Sequence, residues 1–245
     1  MRLYSDSHVT CAEPAMPGDR TATKHREVPA YPIAEAARYL GLAPATLRSW
    51  VKGREYPTRK GSGHFTPLIR LPEPRQPLLS FNNLVEAHVL KSLRRDHSVS
   101  IGAVREALQY AQRTCRVPRL LLSPELRAHA GELFLDRYGA LLSLTPSGQY
   151  ALRKVLESYL QRVVWDQALP RRLYPFVRGD SADAPRDIVI DPELAFGRPV
   201  VERRGISTSA IVQRFDAGET AEAIATDYEL TPKEVEEAVL YERAA

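Results

Sequence analysis

The sequence predicts a mainly α-helical chain with small β elements, an α+β class. Three observations predict it. Between Ile33 and Lys52, apolar residues recur at helical spacing on both sides of a glycine. Prolines at 57, 67, 72, 74 and 77 forbid a long helix immediately afterwards, so short extended pieces are expected there. From Thr208 to Glu242, three short helical patterns follow one another, each with its own start or stop residue. The expected order is a helix-turn-helix with a hairpin wing, a small α+β middle region and a three-helix end.

The segment IAEAARYLGLAPATLRSWVK (33–52) has the spacing of a DNA-reading helix-turn-helix. Ala37 is small where two helices must nearly touch, and Gly41 comes where the chain must turn with positive φ. Pro44 suits the first turn of a second helix, and Leu47 and Trp50 are its apolar pegs. Thr46, Arg48, Ser49 and Lys52 are left off the packing face. In such a motif they reach base edges and phosphates in the major groove. Arg48 is the first candidate base reader, because its planar fork pairs with guanine.

Gly53 to Pro77 reads as the hairpin wing, turning at Gly61-Ser62-Gly63 and ending in extended residues 68–71. Arg54, Arg59, Lys60 and His64 are its candidate DNA contacts. The last three are expected at the tip, where cations hold register on phosphates without reading sequence. Ser80 to Arg95 is expected to be a helix capped by Ser80. Ser100 to Arg113 is expected to be another, with Ile101, Val104, Leu108 and Ala111 at helical spacing. His88 is expected beside this core or facing solvent.

In the middle, Leu133-Phe134-Leu135 and Leu141-Leu142-Ser143-Leu144 are expected to be strands joined near Tyr138-Gly139. Ser147 to Tyr159 follows as a helix, and Leu160 to Asp166 and Leu173 to Val177 as extended pieces. Its aromatics (Tyr138, Tyr150, Tyr159, Trp165, Tyr174, Phe176) are expected in a core or an interface. The polar run GDSADAP (179–185) is the strongest domain boundary. Beyond it, Ile188-Val189-Ile190 and Val200-Val201 are expected strands. Helices then run from about Thr208 to Phe215, from Ala221 to Tyr228 with Thr220 as cap, and from the capping box Thr231-Pro232-Lys233-Glu234. The domain division is 1–28 as a loose tail, 29–118 as the DNA-binding domain, 119–178 as a middle or dimerisation region and 185–245 as the terminal module.

Charge agrees with this division. The chain has 245 residues and a net charge of +4. Residues 1–120 hold 19 Lys and Arg against 10 Asp and Glu, a net of +9, and residues 121–245 a net of −5. Residues 181–245 alone carry 7 against 14, a net of −7. The front can approach phosphates and the back should avoid them. No stretch is apolar and long enough to cross a membrane, and no membrane association is expected. The first 28 residues lack the apolar core of a signal peptide. Cys11 and Cys115, far apart and without metal-ligand spacing, are expected to be reduced thiols in the cytoplasm. No cofactor or metal is expected.

Tyr31 to Gln112 resembles the MerR-like winged helix-turn-helix family, in the order helix, turn, helix, basic wing and two further helices. The block LSFNNLVEAHVLKSLRRDHSVSIGAVREAL is similar to the branch associated with antitoxins. One departure is Ala43, where a capping residue is common; losing such a cap costs about 0.5–2 kcal/mol. The terminal module resembles the small domain of unknown function that accompanies VapB-type antitoxins. The residues carrying this likeness are IDPELAFGRPVV and GISTSAIVQRFDAGETAEAIATDYELTPKEVEEAVLYE. Arg203-Arg204-Gly205 departs from the Gly-Thr-Arg run often seen there.

These resemblances imply an antitoxin and autorepressor that binds operator DNA as a symmetric homodimer. They also imply a PIN-domain ribonuclease as its toxin. Such an enzyme has an acidic, metal-dependent site, and Arg203 and Arg204 are candidate groups to pair with its carboxylates. Alternatives are a free-standing regulator whose rear module senses a ligand, and a phage or plasmid architectural factor. A second DNA-reading unit at Ala221 to Val239 has Ala225 and Val235 in place. However, Glu229 stands where the turn glycine belongs and the region is acidic, so dimerisation or partner binding is the expected role. An enzyme is not expected. Asp187, Asp191 and Glu193 are close in sequence, but carboxylates at a strand end more often mean solvated charge than a Mg²⁺ site.

Overall fold

The structure is a computed structural model and describes residues 25–58, 61–94, 101–115, 119–123, 126, 129–141, 146–167, 169–177 and 184–244. The front consists of β1 (Tyr31–Pro32), α1 (Ile33–Tyr39), α2 (Pro44–Lys52), β2 (Arg54–Thr58), β3 (Gly61–Phe65), β4 (Leu78–Leu79), α3 (Phe81–Ser92) and α4 (Ile101–Cys115). Strand β1 pairs antiparallel with β4, Tyr31 opposite Leu79, and β2 pairs with β3 as a hairpin. The class is the one the sequence predicts: mostly helical, with small antiparallel sheets.

Helix α3 is the axis of the molecule. Every residue from Phe81 to Leu90 is buried, polar ones included. This is tolerable because all but one of these polar groups are matched, the exception being Asn82 Oδ1. Ser80 accepts from the Asn83 N–H at 3.2 Å, and Asn83 Oδ1 accepts from the Ser80 N–H at 3.2 Å, a reciprocal cap. The Glu86 carboxylate takes both arms of Arg119, at 3.0 and 2.7 Å. His88 Nε2 lies 3.0 Å from the Tyr159 carbonyl oxygen, and its ring stacks on Phe176. His88 is therefore a core residue rather than a solvent-facing one.

The middle comprises α5 (His129–Leu141), α6 (Pro146–Leu160), β5 (Val163–Asp166) and β6 (Leu169–Leu173). The strand expected at Leu133-Phe134-Leu135 is instead part of a helix, which runs on to Leu141, the first residue of the second expected strand. Phe134, Leu135 and Tyr138 are buried at positions i, i+1 and i+4, one face of a helix. The apolar triplet at 133–135 looks like a strand only when that period is ignored. Residues 142–144 of the second expected strand lie outside the described residues. The last expected extended piece also shifts, since the strand is 169–173 rather than 173–177.

The rear comprises β7 (Ile188–Val189), β8 (Val200–Val201), β9 (Ile206–Ser207), α7 (Thr208–Asp216), α8 (Ala221–Tyr228) and α9 (Pro232–Arg243). Helices α8 and α9 begin on hydroxyl caps, Thr220 to the Ala223 N–H and Thr231 to the Glu234 N–H, each at 3.2 Å.

These parts share one core rather than standing apart. Leu173 and Ile190 exchange backbone hydrogen bonds of 3.0 and 2.8 Å, joining the β5–β6 hairpin to the rear sheet. The fully buried Arg162 donates to the carbonyls of Ala184 and Pro185, each at 2.9 Å, and lies over the Phe176 ring. Burial, aided by Arg186, pushes its guanidinium down to about 10. At the other end of the chain, Arg26 is buried and pairs with Asp166, and Glu27 pairs with Arg119. The loose tail expected to reach Val28 is thus already anchored at residues 26 and 27. Among the described residues no helix is long and apolar enough to cross a membrane.

Candidate nucleic-acid interface

The turn between α1 and α2 follows from three residues. Leu40 ends α1, Gly41 takes φ of 57°, and the Leu42 N–H returns to the Ala37 carbonyl at 2.8 Å. The Gly41 N–H bonds the Arg38 carbonyl at 3.0 Å. This pair of bonds is a Schellman stop, which calls for a left-handed residue at position 41. Ala37, Leu47 and Trp50 are all buried between the helices. Helix α2 starts at Ala43 without a side-chain cap and with Pro44 at its first position.

This packing turns the expected readers outward. Arg48, Lys52 and Arg54 are exposed, while Thr46 and Ser49 are half-buried. The Ser49 hydroxyl donates to the Thr46 carbonyl at 2.7 Å, so part of its hydrogen-bonding capacity is used within the helix. Arg59 and Lys60 lie outside the described residues.

Gly53 then lets the wing begin directly at the end of α2. With φ of 78°, a Cβ there would lie 2.1 Å from the Phe65 carbonyl oxygen. The wing differs from expectation in register. Its second strand is 61–65, and Thr58 pairs with Gly61. His64 therefore pairs with Glu55 near the base of the hairpin, its ring beside Gly53, rather than sitting at the tip. Tyr56 stacks on Phe65 at 4.1 Å, and Leu68 and Ile69 both donate to the Trp50 carbonyl, at 2.7 and 3.1 Å. The wing is tied to the end of the reading helix.

Two residues that sequence reasoning did not single out complete the surface. A groove of about 460 Å³ runs between α2, the wing and the start of α4, and among the described residues four arginines line it: Arg48, Arg54, Arg94 and Arg105. Among the described residues no carboxylate lines it. Arg105 donates to the Thr66 carbonyl at 2.7 Å and lies over the Phe65 ring, so it braces the wing. Arg48, Arg54 and Arg94 have no ion pair with any described residue. Three cations converging with no counter-charge among the described residues make a site for an anionic polymer. The signal for Arg94 and Arg105 was their charge, but only the packing of α3 and α4 brings them beside α2.

The rear module holds a second helix-turn-helix. Ala225 and Val235 are buried at the matching positions, and Glu229 takes the left-handed turn with φ of 53°. Arg203 holds this turn by donating to the Glu229 carbonyl, and pairs with Glu234 at 3.0 Å. Arg204 pairs with the Glu229 carboxylate. Both arginines are half exposed but engaged inside their own module. Helix α9, in the place of a reading helix, lies against α1. The Tyr241 hydroxyl donates to the Tyr39 carbonyl at 3.0 Å, and Glu242 pairs with Arg38. Burial drives the Tyr241 phenol well above its ordinary pKa, keeping it a neutral donor.

The geometry defines a helix-turn-helix protein with a cationic groove beside the second helix of its front unit. A family model described as "Putative DNA-binding HTH domain" matches residues 29–108, and one described as "Protein of unknown function (DUF433)" matches residues 188–241. The chain is 30% identical over 241 residues to the protein named "Putative antitoxin VapB45" of Mycobacterium tuberculosis, covering 91% of this chain and 98% of that one. The chain belongs to the family of that protein. It is also 26% identical over 249 residues to "Uncharacterized protein Rv2308" of the same organism, covering 92% and 95%. The crystal structure of Rv2018 from M. tuberculosis matches with a TM-score of 0.62 at 26% identity, covering 86% of this chain and 98% of that one.

Proposed function

We propose that the chain is the DNA-binding antitoxin of a type II toxin–antitoxin system, acting in the cytoplasm. It represses its own operon through the front unit and neutralises a PIN-domain ribonuclease through the rear. The observation that carries the DNA half is the groove in which Arg48, Arg54 and Arg94 converge, with no counter-charge among the described residues, beside the exposed face of α2. Its family relationship supports the antitoxin half.

In this reading α2 enters the major groove with Arg48 against a base edge, and Thr46, Ser49 and Lys52 flank it. Arg54 and Arg94 take phosphates on either side and set the register. The front unit resembles the MerR-like winged type. A homodimer would place two such units on two half-sites, about one helical turn or a multiple of it apart. No step in this function is catalytic. The rear module acts by occupying the ribonuclease, and its net charge of −6 keeps it off the DNA.

The test is to purify the product of the neighbouring reading frame alone and together with this chain, with RNA cleavage as the readout. Cleavage by the product alone, silenced by a stoichiometric amount of this chain, is the expected result. A ribonuclease that forms no complex with the chain sinks the antitoxin half. Footprinting on DNA upstream of the gene tests the repressor half separately, and protection no better than on random DNA would sink it.

A further inference from the structure

Ala195, Phe196 and Gly197 pass through consecutive left-handed conformations, with φ of 46°, 56° and 77°. Glycine adopts such angles readily, whereas alanine and phenylalanine are strained in them. What this strained corner presents is the Phe196 ring, 96% exposed. Among the described residues none offsets the strain by packing against the ring.

The corner is nonetheless firmly built. Asp191 is buried, pairs with Arg172 at 2.8 Å and accepts from the Glu193 N–H at 2.9 Å. The Leu194 N–H donates to the Asp191 carbonyl at 2.9 Å, that of Gly197 to Leu194 at 2.8 Å, and that of Arg198 to Ala195 at 3.1 Å. From the front unit, the Tyr31 hydroxyl donates to the Gly197 carbonyl at 3.0 Å. A Cβ on residue 197 would come 2.1 Å from that hydroxyl. Strain held in this way, by surroundings that over-determine it, collects at clamps and binding sites.

We propose that Phe196 is the aromatic anchor by which the rear module grips its protein partner, inserting into an apolar socket on the ribonuclease. The inference rests on the antitoxin reading above. Charge selects this occupant. The module's net of −6 opposes DNA and opposes a second acidic copy of itself. It complements a protein that itself binds RNA and therefore carries a cationic surface. A single ring between Glu193 and Arg198 is too small an apolar area to hold a lipid surface. A rigid aromatic is well suited to the centre of an interface, because little side-chain freedom is lost when it docks.

The experiment uses the full chain and the purified ribonuclease encoded beside it, with binding read by calorimetry. Phe196→Ala is expected to weaken the complex by about 30-fold or more. Phe196→Gly is expected to weaken it as much while raising Tm by about 2–4 °C, because the strain is relieved as the anchor is lost. Both variants should keep wild-type operator affinity and sedimentation. Wild-type binding with no change in Phe196→Ala overturns this inference alone, and failure of the wild-type chain to bind overturns the reading beneath it as well. Loss of operator affinity in Phe196→Ala would instead assign the ring to DNA as a wedge. A change of oligomeric state would assign it to a second copy.

Discussion

The chain contains the same local geometry twice, and the two copies have opposite electrostatics. In the front unit, Gly41 makes the turn, Ala43 leaves the second helix uncapped, and the outward face carries Arg48 and Lys52. In the rear unit, Glu229 makes the turn, Thr231 and Glu234 cap the second helix reciprocally, and that helix packs on α1. Small residue, left-handed turn and apolar peg are therefore requirements of helix packing and say nothing about DNA. What separates a reader from a docking module is which face of the second helix remains outside and what charge it bears. The front leaves a cationic face open; the rear places its second helix against the front, and the whole module is acidic.

The largest effect tests whether the two units are energetically one body. Trp50 is buried in a core continuous with Tyr241. Trp50→Ala should cost about 3–5 kcal/mol, and urea unfolding should remain a single transition shared by both units. Two transitions, with the rear unit unfolding at its wild-type midpoint, would show that the shared core does not couple them.

Next is the contrast in charge. Arg48→Ala should cost about 1–3 kcal/mol on operator DNA and relax preference at one base pair. Arg94→Ala should weaken operator and random DNA alike and flatten the salt dependence by about one ion. Arg203→Ala in the rear should leave both affinities unchanged. Fluorescence anisotropy across a salt series measures all three, and a DNA-binding loss in Arg203→Ala would break the division between the units.

Much of the front was legible because its determinants are local: Ala37, Gly41, Leu47 and Trp50 lie within one short segment. Arg94 and Arg105 were not, because they reach the groove only when α3 and α4 pack beside α2. His64 was misplaced because two glycines at 61 and 63 both offered a turn, and only cross-strand pairing decides between them. The polar run at 179–185 reads as a boundary in composition. Yet Arg162 donates to Ala184 and Pro185, at the end of that run, and the Leu173–Ile190 pairing ties together the segments on either side of it. The rear turn was also obscure, since a left-handed glutamate has no signature of its own. It depends on Arg203 and Arg204 arriving from another loop.

That turn yields a prediction of opposite signs. Gly41→Ala should destabilise by about 1–2 kcal/mol, because alanine pays the left-handed penalty that glycine avoids. The nearest atom to a new Cβ is Lys91 Nζ at 3.7 Å, so the cost is conformational rather than steric. Glu229→Gly removes the same penalty at the rear and loses an exposed ion pair worth about 0–1 kcal/mol. The net should be a gain of about 0.5–1 kcal/mol. Denaturation midpoints for the two variants decide it, and a loss in Glu229→Gly would mean that the two arginines stabilise the turn beyond ordinary surface pairing.

The smallest effect concerns the caps. Thr231 and Glu234 satisfy donors at the start of α9, whereas Ala43 offers α2 no side-chain acceptor. Ala43 already has extended backbone angles, φ −63° and ψ 130°, so a serine there needs no rearrangement to accept from the first turn. Ala43→Ser should therefore stabilise by about 0.5–1 kcal/mol, and Thr231→Ala should destabilise by about as much or somewhat more. The rear cap also carries a pH signature. Partial burial pushes the Glu234 carboxyl up, but the N–H and hydroxyl of Thr231 and the Arg203 guanidinium outweigh it and hold the group below its ordinary value. Its contribution is present in full above the ordinary carboxylate range and fades as pH falls through the lowered one. The deficit of Thr231→Ala relative to wild type should shrink over that acid range, while the gain of Ala43→Ser, whose cap does not titrate, should not.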